Sequence, residues 1–267
     1  RFWAHQYGHN TNTPGGGILL PLLPSTDGSV GVKRATIQET YDQIISDLQQ
    51  AAGQELATHT YSHYYCLEEG QTKIQFEADL DLVVKMGNKF NTPLQSLVFP
   101  RNQFNQEYLE SCVKRNILTV RSNPKVWYWD TLKTQTIAHK VFRTGDSYIN
   151  LGSKSYLKNS IEVNQTSSQA ASRFLRPQNK YDLLNSLRLN RIKQEIIEAA
   201  RNGEVYHLWW HPHNFGFFPD ENLSILTQLL GFIQELKAEK GLISMNMNEY
   251  SSLLNSKFNL SQENLVN

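Results

Sequence analysis

Gly53-Gln54-Glu55-Leu56-Ala57-Thr58-His59-Thr60-Tyr61-Ser62-His63 decides how this chain is read. A short apolar-polar stretch of strand character runs into two histidines four residues apart. Over one turn of helix or across a tight loop, both imidazoles can face the same way. They then offer ring nitrogens to one divalent cation at about 2.0–2.1 Å. The hydroxyls and the phenol between them supply second contacts to such a cation or to a substrate. Of the eight histidines, three more (His207, His211 and His213) form a second cluster. Histidine distributed this unevenly points to chemistry more than to packing.

Downstream of Gly53 the pattern alternates between strand and helix. Short apolar runs at 55–60, 96–100, 117–121, 205–210 and 242–247 read as buried strands. Helical spacing appears at 76–90 (Phe76, Leu80, Val83 and Val84 on one face) and at 106–115, 181–202, 220–240 and 248–257. Such alternation predicts an α/β fold built from parallel units, either a barrel or a doubly wound sheet. The polar stretch 146–179 reads as a long loop. Upstream, residues 11–31 are rich in Gly, Pro, Ser and Thr and read as turn and loop. They precede an amphipathic helix with Ile37, Tyr41, Ile44, Ile45 and Leu48 on one stripe. Thr36 and Glu39 form its expected capping box, and Gly53 its stop.

Composition narrows the function classes. A chain of 267 residues with 39% apolar content can fill the core of one large domain, with or without an appendage. The net charge of +1 gives no electrostatic case for nucleic acid or for an anionic membrane surface. No apolar run approaches the roughly 18 residues of a membrane span, so the chain reads as soluble, without a transmembrane segment. Cys66 and Cys112, the two cysteines, suggest neither a metal pair nor a disulfide framework. Beginning at Arg1 without a signal pattern, the chain reads as processed or as a fragment.

The chemistry-bearing residues each follow an expected strand: His59 and His63 the first, Arg101 the second, His211 the fourth. That edge is where the active sites of α/β barrels assemble. Taken singly, each has a plainer reading as well. His59 and His63 can be a loop or core pair, Arg101 a surface ion-pair partner, and His207 and His213 packing or rim residues.

The opening stretch resembles the histidine motif of the polysaccharide deacetylase (NodB-homology) family, G-x-E-[IL]-x-x-H-[ST]-x-x-H. Val98-Phe99-Pro100-Arg101-Asn102-Gln103 is similar to the family's arginine motif. His207-Leu208-Trp209-Trp210-His211-Pro212-His213-Asn214 is similar to its last motif. The resemblance covers roughly 53–250 and implies a distorted (β/α) barrel that removes acetyl groups from N-acetylated sugars or polysaccharides. It implies a divalent metal, most often zinc, on His59 and His63. That metal would polarise the acetyl carbonyl and lower the pKa of a bound water. By the same resemblance Arg101 would orient an acidic residue, and His211 would protonate the leaving amine. Tyr61, Trp127, Trp129, Trp210 and His213 are the expected substrate contacts. At least one of Trp209 and Trp210 also reads as barrel core.

The family's first motif ends in two adjacent aspartates, one a metal ligand and one the catalytic base. No Asp-Asp pair exists in this chain, and the nearest upstream candidate is Asp27, which has an apolar run before it and a glycine after. The stretch from Lys33 to Ala51, with the Gly-rich loop before it, instead resembles SusD/RagB-like outer-membrane glycan-binding lipoproteins. Together these imply a SusD-like segment at 1–52 joined to a deacetylase-like domain at 53–267 that lacks its first strand. The expected activity is thus a metal-dependent carbohydrate de-N-acetylase with an incomplete site. The alternatives are a non-catalytic glycan-binding scaffold and a truncated chimeric product. Envelope or surface polysaccharide metabolism is the setting both resemblances imply.

Overall fold

In a computed structural model, the chain is described at residues 34–129, 136–151, 154–156, 163–164 and 166–266. Side chains at 34–41, 163–164, 212–213 and 257–266 lie outside that description, as do residues 1–33 with Asp27. The fold is mixed α/β, with parallel strand pairing and no closed barrel among the described residues. In chain order the helices are α1 (Arg34–Gln50), α2 (Lys73–Lys89), α3 (Gln106–Val113), α4 (Ile137–Gly145), α5 (Asp182–Asn202), α6 (Pro219–Lys240) and α7 (Met247–Val266). The strands are β1 (Ser96–Val98), β2 (Thr119–Ser122), β3 (Val163–Asn164), β4 (Thr166–Ala170), β5 (Arg173–Phe174) and β6 (Leu208–Trp209). No helix among the described residues is long and apolar enough to cross a membrane.

Two compact units divide the chain: 1–120 with 163–167 and 245–267, and 121–162 with 168–244. The first holds a core of Phe76, Leu80, Leu97, Phe99, Tyr108, Cys112, Ile117 and Val120. Phe76 is fully buried, stacked on Phe99 at 5.7 Å and edge-on to Tyr108 at 4.9 Å. Cys66 and Cys112 are free thiols in this core. Burial pushes the Cys112 thiol up to about 12. The second unit packs α5 against α6 around Leu189, Ile192, Ile196, Trp210, Leu226 and Leu229. Beside that core, Arg173 donates to Glu195 and Asp146, and Arg191 donates to the same two carboxylates.

Four strands hydrogen-bond in the order β1-β2-β4-β3, and β5 pairs with β6 in parallel (Arg173 opposite Leu208, Phe174 opposite Trp209). Several expectations from sequence change here. The expected strand at 55–60 shrinks to isolated bridge residues, Glu55 and Thr58, of which Thr58 pairs in parallel with Leu97 through Thr58 N–H to Ser96 O and Val98 N–H to Thr58 O. The run at 242–247 forms no strand. Asn246 caps α7 instead: its N–H bonds Glu249 Oε2, and Glu249 N–H bonds Asn246 Oδ1, a reciprocal box. Thr36 lies inside α1, which starts at Arg34, and does not precede it. The stretch 146–179, expected as loop, contains three strands. Period-two hydrophobicity is missing there because polar groups do the packing. A hydroxyl chain joins Thr119, Ser251 and Ser167 at 2.9 and 2.8 Å inside the first unit.

Candidate functional site

His59 emerges at the end of the Thr58 bridge and is only 5% exposed. Its Nδ1 donates to the Val98 carbonyl at 2.5 Å. That bond selects the tautomer in which Nε2 carries the lone pair, the arrangement a metal-ligating imidazole needs. The His63 ring stands edge-on to it, with centroids 4.7 Å apart and planes at 69°. Two imidazoles sharing one cation at about 2.0–2.1 Å per nitrogen place their centroids about 5 Å apart, a separation close to the one here, which an ordinary edge-on ring contact also gives.

The loop between them is held in an unusual shape. Thr60 and His63 have positive φ values of 63° and 59°, and Arg101 and Asn102 on the facing 3₁₀ turn have 53° and 52°. Four of the seven non-glycine residues with positive φ among the described residues therefore gather here. Backbone of this kind persists only where its surroundings over-determine it. Asp79 on α2 does so. Its carboxylate accepts from Tyr61 N–H at 2.7 Å, from Ser62 N–H at 3.0 Å and from the Ser62 hydroxyl at 3.2 Å. Thr60 Oγ1 accepts from Tyr64 N–H at 2.7 Å, and the Tyr64 hydroxyl bonds both backbone groups of Thr72, the N-cap of α2. Burial raises the Asp79 pKa, opposed by the bonds from Ser62 and Tyr61.

A line of contacts leads outward from the pair. His63 meets Tyr65 edge-on at 5.0 Å, and the Arg101 guanidinium lies 4.4 Å above the Tyr65 ring. Arg101 then pairs with Glu68 at 2.9 Å, which also accepts from Gln103 at 2.9 Å. The Arg101 and Glu68 side chains are 61% and 43% exposed, so the pair orients more than it stabilises. Asp79 and Tyr65 were not foreseen as site residues. Asp79 had a visible signal, because it falls on the apolar face of α2 that Phe76, Leu80 and Val83 define.

The remaining expected residues belong to the second unit. His211 follows β6, tilted against Phe174 at 5.4 Å and edge-on to Trp209 at 5.3 Å. The Arg121 guanidinium covers Trp209 at 4.3 Å. The His207 imidazole is half-buried, and desolvation with the nearby Arg121 charge pushes its pKa down to about 3. Trp210, 9% exposed, packs in the α5–α6 core with Phe215 stacked at 6.3 Å. Trp127 is half exposed against His139 and Phe142, and Arg143 covers Trp129 at 4.7 Å. The His213 side chain lies outside the described residues.

Among the described residues no three His, Cys, Asp or Glu side chains lie close enough to hold a metal ion. Two imidazoles alone would fill half of a four-coordinate shell. Asp79 and Glu68, the carboxylates nearest in the contact network, are engaged by the loop and by Arg101. The chain matches no protein-family model and no curated protein.

Proposed function

We propose that the chain is a deacetylase-like carbohydrate hydrolase whose divalent cation, zinc by ligand chemistry, binds His59 and His63 in a distorted-barrel scaffold. The observation that carries this is the edge-on imidazole pair at 4.7 Å, with His59 Nδ1 tied to Val98 O. A bound cation would supply Lewis acidity towards the acetamide carbonyl. The chain's own residues prepare for it: Val98 fixes the tautomer, Asp79 shapes the loop, and Tyr65 with Arg101 borders the pair. The likeness of residues 1–52 to glycan-binding lipoproteins supports a glycan as partner.

A non-catalytic glycan-binding role is the second reading, favoured by the engagement of Asp79 and Glu68 elsewhere. Zinc content and acetate release from N-acetylglucosamine oligomers separate the two. Bound zinc with acetate release, both lost in His59→Ala, supports the hydrolase. Oligomer binding without acetate release, unchanged in His59→Ala, supports the binding protein. Neither acetate release nor oligomer binding contradicts both.

A further inference from the structure

A second charged site lies in the second unit, built around the arginines of α5 and of the segment after β5. Arg173 and Arg191 are balanced by Glu195 and Asp146, two cations on two anions. Arg188 on α5, 8% exposed, has no such balance. Its Nη2 donates to Pro177 O at 3.1 Å and to Asn185 Oδ1, and its guanidinium lies 5.9 Å from the Tyr148 ring. Neither Arg188 nor Arg176 forms an ion pair among the described residues. Burial and the neighbouring Arg176 both lower the Arg188 pKa, the signature of a charge without its counterion. Between them is a small cavity of ≈ 10 Å³, lined by Ser147, Arg173, Arg176, Asn185, Arg188 and Ile192 among others.

We propose that this cavity binds a compact monatomic anion of chloride size, held by Arg188 and Arg176. The volume admits about one water-sized body, too little for a tetrahedral oxyanion. Water there would meet the hydrogen-bond donors but leave two like charges facing each other. A halide meets both demands, and guanidinium, weakly hydrated, is the cation best suited to a buried anion. The anion joins the segment after β5 to α5, locking the loop that carries Arg176.

Thermal unfolding of the full chain tests this, with sodium gluconate exchanged for sodium chloride at constant ionic strength. The expected result is a saturable rise in Tm with chloride. In Arg176→Gln, the chloride concentration needed for half that rise increases about tenfold. Arg188→Gln loses the response altogether. Arg176 is partly exposed and makes no hydrogen bond among the described residues, so its variant folds even if Arg188→Gln does not. Equal Tm in chloride and gluconate overturns the proposal, as does a parent-like response in Arg176→Gln. An equal, saturable rise with sulfate contradicts the size selection.

Discussion

At the scale of single residues, Asp79 does most to shape the histidine loop. Its carboxylate is the acceptor for Tyr61 N–H and Ser62 N–H, and removing it leaves both donors without that acceptor. Asp79→Ala is expected to destabilise the chain by about 2–3 kcal/mol. It should also weaken cation binding at the histidine pair more than Asp79→Asn, which keeps one acceptor. Urea unfolding and zinc titration of both variants check this, and equal zinc affinity in the two would contradict it. His207 makes a different prediction. Its folded pKa of about 3 lies below the ordinary 6.5, so the unfolded chain takes up the proton first as pH falls. Stability from His207 is therefore whole above 6.5 and is lost on descending to 3, by at most about 5 kcal/mol. Glu55 acts with the opposite sign: burial raises its pKa, so the folded chain binds that proton more tightly. His207→Phe is expected to flatten the fall in stability between pH 6.5 and 3, measured by denaturant unfolding at each pH. An unchanged slope would contradict the account.

At the scale of elements, the helices were the most legible part of the sequence. The 3.6-residue stripe of Phe76, Leu80 and Val83 marks α2, and α3, α5 and α6 start within a residue of their expected positions. The strands were less legible because they are short and partly polar. β4 buries Thr166 and Gln169 beside Ala170, which no hydrophobic pattern distinguishes from loop. At Leu242 to Asn246 the apolar run misled, since the Asn246–Glu249 box outweighed it. Of the candidate site, the His59–His63 spacing was readable. Asp79's place on the apolar face of α2 was visible too, but its bonds to the loop and the Tyr65 contact were not, because they depend on long-range folding of α2 and of the loop. The C-terminal end of α2 gives a sharp test. A Cβ on Gly87 would sit 2.7 Å from Thr92 O, a backbone atom that cannot swing aside. Gly87→Ala is thus expected to cost about 1–3 kcal/mol despite alanine's higher helix propensity. A stabilised variant in thermal unfolding would show that the 90–95 turn yields freely.

At the scale of the whole molecule, the first unit carries His59, His63 and Arg101, and the second carries His211, Trp127, Trp129, Trp209, Trp210 and the arginine cavity. In the first unit, backbone strain gathers around the histidine pair. That pattern suits a site kept for ligand contact, since a loop with no such duty has no need of four left-handed residues in two short turns. The most direct measurement is zinc binding to the full chain by calorimetry, with His59→Ala and His63→Ala alongside. The account predicts one zinc per parent chain and its loss in both variants, with each still folded by circular dichroism. Equal zinc binding by parent and variants, or none by the parent, would contradict it.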